Sequence, residues 1–271
     1  MKRIISILLL STLLLITGCH HKKSDPNTLI VGTIAGPETA LMEVAKEVAL
    51  KEYGLPIKIV TFTDYTMPNQ ALEDETIDAN AFQHQPFLDE QSKIHGYSFA
   101  SVGNTFIYPM GLYSDKLKAL SELQSDSKIA IPNDPSNQAR ALLLLQKAGL
   151  ITLQPKVSIN ATLNDIAENP KKLTIVAVDA AQLSRLLPDV SLAAINANYA
   201  VSAGLTLSKA LYAENIHSPY MNIIVVRSKD RDSKKVKNLV SAYQSEAVIA
   251  EAQKLFGDGA VPGFRVVDNV Q

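Results

Sequence analysis

Short apolar runs alternate along this chain with longer segments whose apolar residues recur at helical spacing. Leu29 to Ile34 and Ile57 to Phe62 read as strands. Between them Ala40, Leu41, Val44, Ala45, Val48 and Ala49 share one helical face, and Gly54 follows as a stop signal. Further strands are predicted at Ile77 to Phe82, Tyr97 to Val102, Lys128 to Ile131, Leu173 to Val178, Val190 to Ile195 and Met221 to Val226, with helical patterns between most of them. Such alternation predicts α/β layering. The chain shows no internal repeat, no heptad array and no long Pro/Gly linker, so two lobes must share it intimately. The division expected is 28–108 with 228–271 for the first lobe and 109–227 for the second.

Composition narrows the partners. With 26 basic and 27 acidic residues in 271, the net charge of -1 leaves no electrostatic footprint for nucleic acid or anionic lipid. A hydrophobic fraction of 46% against 20% charged residues describes a chain that can bury a core.

The N-terminus is different in kind. Lys2 and Arg3 precede an apolar run from Ile4 to Ile16 that ends in Thr17, Gly18 and Cys19, the layout of an export signal. The run falls short of the ~20 apolar residues that span a bilayer, so 1–18 is set aside from the fold. Leu15-Ile16-Thr17-Gly18-Cys19 resembles the lipobox of bacterial lipoproteins. That resemblance implies cleavage before Cys19, a lipid on its sulfur and an anchor in the bilayer on the extracytoplasmic face of the cell membrane. Cys19 is the sole cysteine, so intramolecular disulfides are ruled out. Residues 19–27 read as a polar tether, and His20-His21 as solvated linker rather than a metal site.

In open α/β sheets ligands sit beyond the carboxyl ends of the strands, so the residues just after each apolar run carry the interest. After Ile131 the turn Pro132-Asn133-Asp134-Pro135-Ser136-Asn137 leads into a helix for which Ser136 is the expected N-cap. Arg140 then falls in or near the first turn, where the helix macrodipole disfavours a cation unless an anion compensates. That anion is either a ligand carboxylate or a carboxylate of the protein itself. Asn196 and Asn198 follow the run Leu192 to Ile195, and Asn222 sits inside the run Tyr220 to Val226. A buried amide there either orients a ligand or bridges neighbouring backbone. Asp64 and Tyr65 follow the second strand, and Phe82-Gln83-His84 closes the third. These aromatics would suit a thioether, since sulfur makes favourable contacts with rings. The chain has no Gly-Lys-Ser/Thr phosphate loop, G-x-S-x-G, H-E-x-x-H or C-x-x-C, which leaves enzyme chemistry without a motif.

The stretches Glu52 to Leu55, Asp78 to His84, Val102 to Phe106, Pro132 to Pro135, Arg140 to Lys147 and Ser218 to Tyr220 together resemble the NlpA family of methionine-binding lipoproteins. The likeness covers nearly the whole mature chain. It implies a two-lobed periplasmic-binding-protein fold of type II-like form, with a hinged cleft that closes on an amino acid. The implied function is capture of methionine, as the L- or the D-enantiomer, for an ABC importer whose permease and ATPase are separate proteins; no catalysis, cofactor or metal is implied. By the resemblance Arg140 grips the α-carboxylate, Asn222 and Asn196 hold the zwitterion, Tyr65, Phe82 and His84 enclose the side chain, and Asn137 and Tyr108 add to the lining. The alternatives are a binding protein for a methionine derivative or small peptide, and an exported enzyme acting on amino-acid derivatives.

Overall fold

The computed structural model of the protein describes residues 27–215 and 218–265. The export signal, Cys19 and the His20-His21 pair lie outside the described residues.

Strand and helix alternate as the pattern predicts. The chain runs β1 (Leu29–Ile34), α1 (Pro37–Tyr53), β2 (Ile57–Phe62), α2 (Met67–Glu73), β3 (Ala79–His84), α3 (Gln85–His95), β4 (Phe99–Ile107) and β5 (Gly111–Tyr113). It continues through β6 (Lys128–Pro132), α4 (Pro135–Lys147), β7 (Thr152–Leu153), β8 (Ile166–Glu168), β9 (Thr174–Val178), β10 (Leu192–Ile195), α5 (Ala197–Ser202) and β11 (Tyr212–Ala213). It closes with β12 (Met221–Arg227), α6 (Lys234–Tyr243), α7 (Glu246–Phe256) and β13 (Val261–Pro262). Apolar spacing explains α1: Leu41, Met42, Ala45 and Ala49 are buried on one face, Pro37 opens the helix, and Gly54 ends it in the left-handed conformation.

Two mixed sheets result. The larger has the order β13-β4-β12-β3-β1-β2 and the smaller β11-β5-β10-β6-β9, with β7 and β8 pairing apart as a short ribbon. β1 lies parallel between β2 and β3, while β12 runs antiparallel between β3 and β4. The strand Met221–Arg227, grouped by the sequence reading with the second lobe, thus hydrogen-bonds into the first sheet. Its alternating residues Ile224 and Val226 fill the same apolar cluster as α1, which gives it a place there that the smaller sheet does not offer. The chain crosses between the sheets twice: outward through Tyr108 to Met110, and back between Ala213 and Met221.

Each sheet has its own core. Val31, Leu41, Met42, Phe106, Ile224, Leu239 and Phe256 belong to one, and Leu112, Ile129, Ile131, Leu142, Leu145 and Leu192 to the other. A third cluster spans both units, joining Ile34, Phe82 and Phe87 to Ala130, Ala193, Ile195 and Tyr199. The two units are therefore pressed together over the carboxyl ends of their strands, which is where the site lies.

Candidate ligand-binding site

Five strand ends converge on one small cavity between the two units. β1 delivers Glu38 through the turn at Gly36, β2 delivers Tyr65, β3 ends in Phe82, Gln83 and His84, β6 leads to Asn137 and Arg140, and β10 leads to Asn196 and Asn198. Asn222 on β12, Tyr108 at the outward crossover and Phe87 on α3 complete the lining. All eight residues singled out from the sequence, Arg140, Asn222, Asn196, Tyr65, Phe82, His84, Asn137 and Tyr108, line this cavity.

The first turn of α4 differs from the expectation. Asp134, not Ser136, is the N-cap; its side chain accepts the Asn137 backbone N–H at 2.9 Å. Pro135 then takes the first helical position, where its missing N–H costs nothing. Arg140 falls consequently in the second turn, away from the exposed N–H groups. Its compensating anion is Glu214. Arg140 Nε donates to Glu214 Oε1 at 2.9 Å, and Nη2 donates to Glu214 Oε2 at 2.5 Å and to the Tyr108 carbonyl at 2.8 Å. Both side chains are nearly inaccessible, 3% and 8% exposed, and the Tyr220 ring covers the guanidinium at 4.4 Å. Among the described residues Nη1 has no protein acceptor.

A chain of amides fixes the polar wall. Asn137 Nδ2 donates to both oxygens of Asp134, which leaves Asn137 Oδ1 as an acceptor. Asn196 Nδ2 donates to that oxygen at 2.8 Å, so Asn196 Oδ1 points elsewhere; it is buried, with no partner among the described residues. His84 reaches the same oxygen through Nε2 at 3.3 Å, while its Nδ1 accepts the Phe87 backbone N–H. The imidazole is thereby the neutral tautomer with its proton on Nε2. Burial, reinforced by the charge of Arg140, pushes its pKa down to about 3.

Glu38 is the acidic counterpart. Its Oε1 accepts from Asn222 Nδ2 at 3.2 Å, and its Oε2 is buried with no partner among the described residues. Burial raises its pKa well above the ordinary carboxylate range, and the Asn222 hydrogen bond only partly offsets this. Asn198 accepts the Tyr65 hydroxyl at 2.6 Å, and its Nδ2 is likewise buried with no partner among the described residues. At the other end the rings of Tyr65, Phe82 and Phe87 lie 5.8–6.0 Å apart, tilted or edge-on. The arrangement combines two acceptors, Glu38 Oε2 and Asn196 Oδ1, two donors, Arg140 Nη1 and Asn198 Nδ2, and an aromatic pocket. It can desolvate and hold a small zwitterion with an apolar side chain.

Glu38 and Glu214 were not among the residues picked from sequence. The strand-end rule reaches Glu38 if applied to β1, but an acid just inside a helix reads as ordinary macrodipole complementarity. Nothing local signals Glu214, whose partner lies 74 residues away.

The profile of the family described as NlpA lipoprotein matches residues 29–264. The D-methionine-binding lipoprotein MetQ of Escherichia coli K12 is 50% identical over 254 residues, covering 93% of this chain and 94% of its own length. A solved periplasmic substrate-binding protein of an ABC transporter from Coxiella burnetii is 59% identical, with a TM-score of 0.84 over 86% of this chain and 99% of that one. A nutrient binding protein from Burkholderia cenocepacia, solved bound to methionine, is 50% identical, with a TM-score of 0.85 over 87% and 100%.

Proposed function

The chain belongs to the NlpA lipoprotein family, a family of substrate-binding proteins and not of enzymes, and from that premise we propose that it captures free methionine outside the cytoplasm for an ABC importer. The observation that carries the proposal is the set of buried polar atoms with no partner among the described residues, Glu38 Oε2, Asn196 Oδ1 and Asn198 Nδ2, beside an aromatic pocket. A free amino acid matches that set. Its ammonium goes to Glu38 Oε2 and Asn196 Oδ1, and its carboxylate to Arg140 Nη1 and Asn198 Nδ2. The thioether goes among Tyr65, Phe82 and Phe87, where sulfur–ring contacts favour it over a plain alkyl chain. Asn137 and His84 hold Asn196 in the orientation that offers its oxygen, and Asn222 and Tyr108 brace Glu38 and Arg140.

Binding spends no covalent chemistry. Ligand favours the state in which both units touch it, and the closed form is the one a permease would select. ATP hydrolysis belongs to a separate protein of the importer. Cys19 carries the lipid that keeps the protein at the membrane; no helix among the described residues is long and apolar enough to cross it.

Replacing Arg140 by methionine should weaken L-methionine binding about tenfold or more, the loss of a charge-assisted contact worth about 1.5–3 kcal/mol. Calorimetric titration reads this, and unchanged affinity would remove Arg140 from the site. Cys19→Ser should leave affinity intact and move the protein from the membrane fraction to the soluble one; continued membrane partitioning would contradict the anchor.

A further inference from the structure

Glu214 lines no part of the cavity, yet it occupies two donors of the guanidinium that does. The pair is also where the two crossovers meet. Glu214 stands on the returning crossover just after β11, and its Oε2 accepts the backbone N–H of Met110 on the outward crossover at 2.9 Å. The two backbones are joined again by Glu214 N–H donating to the Met110 carbonyl at 3.0 Å. Arg140, from α4, takes the Tyr108 carbonyl of one crossover and the carboxylate and Tyr220 ring of the other. A guanidinium has a fixed planar fork of donors. With Nε and Nη2 committed, its orientation is set and Nη1 is the nitrogen left for a ligand.

We infer that Glu214 is a positioning residue for ligand capture: acting through Arg140, it aims Nη1 into the cavity and ties the ligand's carboxylate to both crossovers. This rests on the methionine reading of the cavity and deepens it. A carboxylate bound at Nη1 then extends a line of charge-assisted bonds that runs into the segments about which the two units turn. Capture and closure share one side chain.

The test is a double-mutant cycle on the purified full-length chain, stripped of ligand by unfolding and refolding, with L-methionine as the probe. Glu214→Gln, Arg140→Met and the double variant are titrated calorimetrically, and methionine-induced compaction is followed by small-angle X-ray scattering. Glu214→Gln should weaken binding about tenfold or more and blunt the compaction, while adding it to Arg140→Met should change affinity less than twofold, because partners that act through one another are not additive. Glu214→Asp, which keeps the charge, should recover part of the loss and serves as the single variant if Glu214→Gln does not refold. Equal effects of Glu214→Gln in the presence and absence of Arg140 would overturn the inference, as would tighter binding from a guanidinium freed for the ligand. Failure of the unsubstituted protein to bind methionine is a separate result, and it would overturn the functional reading instead.

Discussion

At the scale of single residues, Glu38 governs how capture depends on pH. Burial holds its proton to higher pH in the free protein, whereas an ammonium at Oε2 favours the ionised form. Capture should therefore expel a proton, and affinity should rise as pH climbs through the raised value. Titrations in buffers of different ionisation enthalpy should give different apparent enthalpies for the natural protein and the same enthalpy for Glu38→Gln, with affinity about tenfold lower. Buffer-independent heats in both would show that Glu38 is already ionised or touches no ammonium. The sign for stability is opposite. The folded state keeps a proton that the unfolded chain gives up, so the ligand-free protein should lose stability as pH rises from the ordinary carboxylate range through the raised value. His84 acts in the opposite direction: its imidazole stays uncharged in the folded protein down to about 3, whereas in the unfolded chain it takes up a proton below about 6.5, so the stability it contributes is lost as pH falls below neutrality. Residues of this kind are half legible in sequence. Arg140, Asn196 and Tyr65 follow apolar runs and so announce themselves, whereas the burial of Glu38 and the partner of Arg140 are products of the assembled fold.

Among the elements, the turn from β1 into α1 is the one that aims Glu38. Gly36 adopts φ 115° and ψ -140°, a region open to glycine and closed to other residues. A Cβ there would also stand 2.4 Å from Ser202 Oγ on α5, across the boundary between the units. Gly36→Ala should lower stability by about 1–3 kcal/mol and weaken methionine binding, because the clash exists when the units meet. Denaturant unfolding and titration check this; adding Ser202→Ala should restore part of the affinity and little of the stability. Equal loss with and without Ser202 would mean that backbone strain alone is at work. A second device holds the loop that carries Tyr65. Asn69 on α2 exchanges amide hydrogen bonds with Gln83 and receives one from Asn80, all three side chains being buried. Periodicity found α1 and most strands with little error, since their apolar faces are regular. It did not find α2 or the three-residue β5, which are too short to show a period and are fixed by contacts distant in sequence.

For the whole molecule, the structure is that of two α/β units closed on each other. Tyr65 donates to Asn198 at 2.6 Å and Tyr199 donates to the Thr63 carbonyl at 3.2 Å, both across the boundary. Tyr65→Phe leaves the buried Asn198 oxygen unpaired in the closed form. It should cost about 1–3 kcal/mol of closure, read as a drop in affinity of roughly tenfold with thermal stability of the ligand-free protein little changed. A large stability loss without loss of affinity would assign the contact to folding rather than closure. The α/β class and the alternation of strand with helix were visible in the pattern of apolar positions, because hydrophobic burial dictates both. The membership of Met221–Arg227 was not, since one apolar run looks the same whichever sheet receives it, and only pairing with β3 and β4 decides.

The central claim is that this cavity holds methionine. The most direct test strips the purified protein of bound ligand by unfolding and refolding, then titrates it calorimetrically with L-methionine beside D-methionine, norleucine, leucine, glutamine and methionine methyl ester. The account predicts saturable one-to-one binding of methionine at micromolar Kd or tighter. Norleucine should be weaker for want of sulfur, and the ester weaker for want of a carboxylate. A refolded protein that binds none of these, or that binds the ester as tightly as the free acid, would contradict it.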